Sequence, residues 1–208
     1  MSDIRQAASL VVVRDRAARL EVLMVTRSAA LTFAGGALVF PGGALDPADI
    51  AAAARHADPE DCAHRLAAIR EAREEVGLTM AVERLVPLSR WLPPLHIPRR
   101  FDTRFYLTAL EGDPPLTPDG MEVVAAQWIR PQAALDAPGV RLLFPTRMHL
   151  HRLAQYSTAQ EAMAHTLAHP PRPISPFVAE RDGAEHLCIP DDLGFPITAL
   201  PLPLADRG

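Results

Sequence analysis

The sequence predicts one domain of the mixed α+β class, and three observations lead to this expectation. The chain has 208 residues, a length that suits one domain with additions. The predicted elements follow the order β-β-β-α-β-β-β-α, which is typical of a mixed sheet rather than of repeated βαβ units. No run approaches 18 apolar residues, so no membrane-spanning helix is expected.

Short apolar runs predict the strands of the first half. Runs rich in β-branched residues lie at 8–13 and 20–26, and the polar segment 14–19 between them favours a hairpin. A third run at 37–40 is ended by Pro41-Gly42-Gly43, which is a strong break in regular structure.

Two helices are predicted to follow these strands. The Ala-rich stretch 46–57 begins with Asp-Pro, which suits a helix start. The next helix is predicted over 59–76, because Pro59 suits a first helical position and the acids beside it complement the helix dipole. Gly77 is a natural cap at its end.

The second half is predicted to contain strands at 85–91, 101–110 and 122–129, and helices at 131–135 and 146–156. The tail after residue 169 is Pro-rich, but apolar runs at 174–178 and 186–189 predict short strands within it. We therefore expect a single domain over 1–208, with a core at about 8–155 and an ordered C-terminal extension at about 170–208.

Composition excludes several kinds of chemistry. The chain has no lysine, so neither a Schiff-base lysine nor a phosphate-loop lysine is possible. The net charge of −4 argues against a nucleic-acid binder that depends on a broad basic surface. The first residues do not have the pattern of a secretory signal. Cys62 and Cys188 are expected to be reduced, and either buried or without a chemical role. We therefore expect a cytoplasmic protein that binds neither membrane nor nucleic acid.

Three glutamates fall within one turn of the predicted 59–76 helix. Glu71 and Glu75 are four residues apart and share a face, and Glu74 is three residues from Glu71. One interpretation is a solvated face on which Arg70 and Arg73 form weak ion pairs. The other is a site for a hard cation such as Mg²⁺ or Mn²⁺, which takes oxygen ligands and bridges substrate phosphates.

The surrounding sequence favours the cation site. The segments Phe40-Pro41-Gly42-Gly43 and Arg70-Glu71-x-x-Glu74-Glu75-x-Gly77-Leu78 together resemble the Nudix hydrolase signature, G-x5-E-x7-R-E-U-x-E-E-x-G-U with U apolar. Gly43 and Arg70 are 27 positions apart instead of 14, so the signature contains 13 extra residues. Counted back from Arg70, the first glutamate of the signature is replaced by Cys62. The resemblance implies an α/β/α sandwich with a mixed sheet.

The resemblance also implies an activity: hydrolysis of a diphosphate linked to another moiety, with Mg²⁺ or Mn²⁺ and an activated water. Glu71 and Glu75 would then bind metal, and Glu74 would be a further ligand or the general base. Gly43 would offer its carbonyl oxygen, and Arg70 would orient the carboxylates. A further acid would complete the site, with Glu122 favoured and Glu111 and Asp119 as alternatives.

The segment 23–43 narrows the substrate, because it is similar to the motif of the coenzyme A diphosphatase branch. Arg27, Ser28 and Gly36 match that motif, whereas Thr32 replaces its second arginine and Val25 its threonine. The long insertion and the segment 98–105 are similar to the acyl-CoA diphosphatase group. The substrate-binding arginines would be Arg27, Arg99, Arg100 and Arg104, supported by Ser28.

Two alternatives to hydrolysis of coenzyme A or acyl-CoA remain open at this point. The first is an ADP-ribose, sugar-nucleotide or dinucleotide diphosphatase, and the second is a non-catalytic Nudix module that senses a nucleotide. In each case the partner is a small nucleoside diphosphate derivative, and a homodimer is plausible. Trp91 and Trp128 are expected in the core, with adenine stacking as the alternative, and His149 and His151 are not expected to bind metal.

Overall fold

The structure is a computed structural model, and it describes residues 4–92 and 100–205. Its strands are β1 (Ile4–Arg16), β2 (Arg19–Arg27), β3 (Leu38–Val39), β4 (Gly42–Ala44), β5 (Val86–Trp91), β6 (Arg100–Ala109), β7 (Val123–Ile129), β8 (Pro173–Ile174), β9 (Phe177–Arg181), β10 (Ala184–Cys188) and β11 (Ala199–Pro201). Its α-helices are α1 (Pro47–Ala53), α2 (Pro59–Val76), α3 (Pro131–Asp136), α4 (Phe144–Leu153) and α5 (Ala159–Ala168).

A mixed sheet with β1 at its centre organises the chain. The strand order is β3-β2-β1-β6-β5-β8, while β4 also pairs with β1 and β7 also pairs with β2. β1 and β2 form the predicted antiparallel hairpin, and β1 runs parallel to β6 from Ile4 opposite Arg100 to Val13 opposite Ala109. β1 is paired along both edges and covered on both faces, so the side chains of its central part are buried. This explains why the sequence of that part is a nearly continuous apolar run.

The sheet separates two apolar cores, and alternation along β1 sends side chains to each. Leu10 and Val12 pack on one face with the small residues of α2, whereas Val11 and Val13 pack on the other face with residues of α3, α4 and α5. This arrangement of helices on both faces of a mixed sheet confirms the expected α+β sandwich.

Helix α2 has the predicted bounds because strong local signals define both of its ends. The Asp58 carboxylate accepts a hydrogen bond from the Asp61 N–H, and Pro59 occupies the first turn. Gly77 ends the helix at a φ of 77°, a left-handed conformation that glycine adopts without strain. The helix predicted over 46–57 is shorter in the structure, where α1 spans only Pro47–Ala53.

The C-terminal extension is ordered and packs against the main sheet. β8 pairs parallel with β5, and the Leu92 N–H donates to the Ile174 carbonyl. Strands β9, β10 and β11 form a small antiparallel sheet, and the ring of Phe195 lies 6.1 Å from that of Trp91. Helix α5 and strands β4 and β11 had not been predicted. No helix within 4–92 and 100–205 is long and apolar enough to cross a membrane.

Candidate active site

Helix α2 brings its three glutamates to one end of the site at different depths. Glu75 is buried, with 4% of its side chain exposed, while Glu71 is largely buried and Glu74 is about half exposed. The helix is fixed in this orientation because Ala72 and Val76 of the same turns are buried against the sheet. The carboxylates are therefore held beside the sheet rather than spread over a solvated face.

The Pro-Gly-Gly turn lies directly against these carboxylates. A Cβ atom placed on Gly43 would come within 2.5 Å of the Glu71 carboxylate, so any side chain here would force that carboxylate to move. The Gly42 N–H donates a hydrogen bond of 3.1 Å to Oε2 of Glu75. β4 positions the turn by pairing with β1, with Gly43 opposite Ala8. The structure thus brings together the two segments of the predicted signature.

Arg70 links the acids of the site. Its guanidinium donates to Glu71 at 2.8 Å, to Glu74 at 3.2 Å, and to the Ala44 carbonyl at 2.9 Å. Burial by itself would lower the pKa of Arg70, but hydrogen bonds to Asp49 and Glu71 hold that pKa above its ordinary value. Arg70 therefore stays charged and contacts both glutamates, an arrangement compatible with the orienting role that the resemblance implies.

Asp49 also belongs to the site, although the signature spacing counted from Arg70 does not point to it. It is buried in α1, and its two carboxylate oxygens accept three contacts from Arg70 at 3.0 to 3.3 Å. Asp49 is also six residues after Gly43, the spacing of the first glutamate in the signature. The interpretation that Cys62 replaces this glutamate is therefore wrong, because the 13 extra residues lie after Asp49 rather than before it. Counting forward from the glycine would have found it.

Glu75 is the most strongly perturbed acid of the site. Burial raises its pKa to about 8, and the charges of Glu71 and Glu122 add to this effect, while the Gly42 N–H and Arg27 oppose it. Burial also raises the pKa of Glu71, against the hydrogen bond from Arg70. Desolvated acids with raised pKa values are common at functional sites.

Glu122 is the later acid that the structure brings to this site. It lines the same cavity as Glu71, and its Oε2 lies 4.0 Å from Nη2 of Arg27. Asp119 instead accepts hydrogen bonds from the main chain at 121–123, which lowers its pKa and shapes the turn before β7. Neither Asp119 nor Glu111 is among the described residues that line the cavity.

The predicted substrate arginines have different locations. Arg27 lines the cavity, with Nη1 at 3.8 Å from Oε1 of Glu75. Ser28 follows it in a turn, where its Oγ accepts from the Ala30 N–H. Arg99 lies outside the described residues, and of Arg100 only the main chain, in β6, is described.

Arg104 was predicted to bind the substrate, and this prediction is wrong because the structure does not place Arg104 at this cavity. Its side chain forms ion pairs with Glu60 and Asp61 at the start of α2. It lines a separate groove with Arg90 and Tyr106. The neighbouring positions 103 and 105 line the main cavity instead, because adjacent residues of a strand point to opposite faces.

The cavity has a volume of about 720 Å³ and walls of two kinds. The charged lining includes Glu71, Glu74 and Glu122 with Arg27 and Arg70. The C-terminal extension contributes Pro176 and Leu187 to the apolar lining. Further apolar lining residues include Phe33, Phe40, Trp91, Leu92, Phe101, Phe105, Leu143 and Phe144.

The donor set suits a hard divalent cation such as Mg²⁺ or Mn²⁺. Oε1 of Glu75 is buried and accepts no hydrogen bond, so this oxygen has a free coordination position. Glu71, Glu74 and Glu122 supply further carboxylate oxygens beside it. Within 4–92 and 100–205, no three acid, histidine or cysteine side chains converge tightly enough to form a preformed cage.

Trp91 and His149 belong to a buried polar network at the apolar side of the cavity. The Trp91 indole N–H lies 3.1 Å from both Ser89 Oγ and His149 Nε2, and His149 lies in α4 with its ring among those of Phe105 and Phe195. Burial lowers the pKa of His149 to about 3, so it is neutral. Trp91 is thus in the core as predicted, and the two cysteines are free and buried.

Comparison with known proteins gives consistent matches. The family model described as the NUDIX domain matches residues 4–146. The chain is 27% identical over 192 residues to "Putative nudix hydrolase 7" of Caenorhabditis elegans, a match that spans 74% of this chain and 62% of that protein, less than two thirds of its length. It is 25% identical over 268 aligned positions to "Acyl-coenzyme A diphosphatase NUDT19" of Homo sapiens, spanning 83% of this chain and 72% of that one.

A solved structure supports the same likeness. The crystal structure of a NUDIX hydrolase from Alicyclobacillus acidocaldarius superposes with a TM-score of 0.69 at 29% sequence identity, and the match covers 79% of this chain and 97% of that one.

Proposed function

The chain belongs to the Nudix family, as its signature predicted, and from this premise we propose that it hydrolyses the diphosphate linkage of a nucleoside diphosphate derivative. The observation that carries the proposal is the Arg70 cluster, in which one guanidinium holds Asp49, Glu71 and Glu74 beside the Gly42-Gly43 turn. Metal-assisted hydrolysis depends on carboxylates that are held in position in this way, which favours an enzyme over a module that only binds a nucleotide.

Each residue of the cluster has a part in this proposal. Glu71, Glu75 and Glu122 would hold Mg²⁺ or Mn²⁺, with the main chain of Gly43 beside them. When bound, the metal neutralises the charge of the diphosphate and lowers the pKa of water. Arg70 keeps the Glu71 and Glu74 carboxylates in position. Glu74 is the most exposed of the three α2 glutamates and is therefore the one best placed to accept a proton from water.

Coenzyme A and its acyl derivatives are the substrates that we place first. The human relative named as an acyl-coenzyme A diphosphatase aligns over most of this chain, and Arg27 of the matched motif lies in the cavity. The cavity also has both charged and apolar lining residues, which suits a substrate with a diphosphate and a long, weakly polar arm. The products would be 3′,5′-ADP and phosphopantetheine or its acyl form.

The test is a substrate panel with Mg²⁺ or Mn²⁺, in which mass spectrometry identifies the products. We expect cleavage of coenzyme A and acyl-CoA, and we expect Glu74→Gln and Glu75→Gln to abolish it. Glu83→Gln is the matched control, because Glu83 is an exposed acid in the short 3₁₀ turn after α2.

Two results would contradict the proposal at different levels. Cleavage of ADP-ribose with coenzyme A left intact would refute the substrate and favour the alternative diphosphatase. Absence of metal-dependent turnover with every diphosphate in the panel would refute hydrolysis itself and favour the nucleotide-sensing module.

A further inference from the structure

Arg5 is a cavity arginine that no part of the signature singles out. It lies near the start of β1, is exposed, and lines the cavity together with Ala7 and Ser9 of the same strand face. Ala8 pairs with Gly43 beside the Glu71 carboxylate. At a rise of about 3.3 Å per residue, Arg5 is about 10 Å along the strand from that point.

Arg5 differs from the other arginines of the cavity wall in its partners. Arg70 is bound to the carboxylates of its cluster, and Arg27 lies between Glu75 and Glu122. Across 4–92 and 100–205, Arg5 forms no ion pair with a carboxylate. Of these three guanidinium groups, that of Arg5 is the one available to an anionic part of a substrate.

An aromatic pair lies beside Arg5. Phe101 is opposite Arg5 in the parallel register of β1 and β6, and its ring centroid is 5.4 Å from that of Phe33. Both rings line the cavity. Aromatic faces bind nucleobases by stacking, and a guanidinium binds phosphate through paired hydrogen bonds. This end of the cavity therefore offers the two groups that recognise a phosphorylated nucleoside.

We propose that Phe33 and Phe101 bind the base of the substrate and that Arg5 binds a phosphate on its ribose, separate from the diphosphate that is cleaved. The proposal rests on the proposed function, because the carboxylate cluster must bind the diphosphate of the same molecule. Coenzyme A carries such a ribose phosphate, whereas dephospho-coenzyme A does not. Arg5 is then the residue that makes the enzyme prefer the phosphorylated form.

The experiment compares these two substrates, which differ by one phosphate. Steady-state hydrolysis of each is measured with the same metal for the unaltered protein, Arg5→Gln, Arg5→Lys and Arg16→Gln. Because a charge-assisted contact is lost, we expect Arg5→Gln to lower kcat/KM for coenzyme A by about 10- to 100-fold, mainly through KM, and to leave dephospho-coenzyme A unchanged. Arg5→Lys keeps the charge and should recover part of the loss.

Arg16→Gln is the matched control, because Arg16 is an exposed arginine at the other end of β1. It should change neither substrate. Equal losses on both substrates for Arg5→Gln, or no loss on either, would overturn the assignment of Arg5. If the unaltered protein cleaves neither substrate but cleaves another diphosphate of the panel, coenzyme A is refuted as the substrate and the assignment of Arg5 with it, while diphosphate hydrolysis stands; no turnover with any diphosphate refutes the proposed function itself.

Discussion

Replacing Asp49 by Asn tests the Arg70 cluster most directly. The change keeps the shape of a buried side chain but removes its charge and one of its two acceptor oxygens. In the structure these oxygens accept three contacts of 3.0 to 3.3 Å from Arg70. Hydrogen bonds to charged groups contribute about 1.5–3 kcal/mol each, and a residue that orients metal ligands typically contributes about 10- to 100-fold in metal affinity or activity. We expect a loss of that size in kcat/KM.

The assay measures kcat/KM and the apparent affinity for Mn²⁺ with the best diphosphate of the panel. Circular dichroism and urea unfolding show whether the fold is intact. Asp58→Asn is the control, because Asn caps a helix about as well as Asp and Asp58 caps α2 away from Arg70. Asp49→Glu restores the charge and supplies the residue type of the family signature, so it should recover most of the activity.

The reasoning would be refuted if Asp49→Asn kept the metal affinity and kcat/KM of the unaltered protein. It would also fail if Asp49→Glu were as inactive as Asp49→Asn, because the position would then serve packing rather than charge.

Three further predictions concern the site and its support. Gly43→Ala should reduce activity by more than tenfold without unfolding the protein, because the added Cβ would lie 2.5 Å from the Glu71 carboxylate and would push it out of position. A folded variant with full activity would contradict this prediction. Glu122→Gln should lower Mn²⁺ affinity about tenfold in a titration, whereas Glu111→Gln should leave it unchanged. If Glu111→Gln lowered the affinity and Glu122→Gln did not, the assignment of Glu122 as the later acid of the site would be wrong. Burial lowers the pKa of His149 from 6.5 to about 3. Between these pH values the unfolded chain binds a proton at His149 that the folded chain does not bind. The free energy of unfolding should therefore fall as the pH drops from about 6.5 towards 3, by up to about 1.4 kcal/mol per pH unit. When urea unfolding is measured at several pH values, His149→Gln should make the free energy of unfolding less dependent on pH. The prediction is refuted if the variant and the unaltered protein show the same pH dependence.

The parts of the molecule that follow from local sequence were predicted well. The bounds of α2 depend on Asp58, Pro59 and Gly77, which act within a few residues of one another. The β1–β2 hairpin likewise depends on two apolar runs and the short polar segment between them. Because the α2 glutamates share one helical turn, their proximity also followed from spacing alone.

Features that depend on contacts distant in the chain could not be predicted in this way. β4 is only three residues long, and it exists because Gly42–Ala44 pairs with β1 more than thirty residues away. The direction of Arg104 depends on the register of β6 in the sheet, which a run of arginines does not define. Asp49 was missed because the spacing was counted from Arg70, across the insertion, instead of from Gly43.

The charge balance of the site explains why these acids tolerate one another. Asp49, Glu71, Glu74, Glu75 and Glu122 lie in or beside the cavity, and the cations that pair with them are Arg27, Arg70 and, on the exposed side of Glu74, Arg73. Burial raises the pKa of Glu75 to about 8, and the nearby charges of Glu71 and Glu122 add to this effect, so Glu75 tends to hold a proton when no further cation is present. A divalent cation would remove the need for that proton, because ligand carboxylates must be deprotonated to bind metal. In the proposed function a metal would therefore balance the charge of these acids, and the same excess of acids would favour a diphosphate that arrives with a divalent cation.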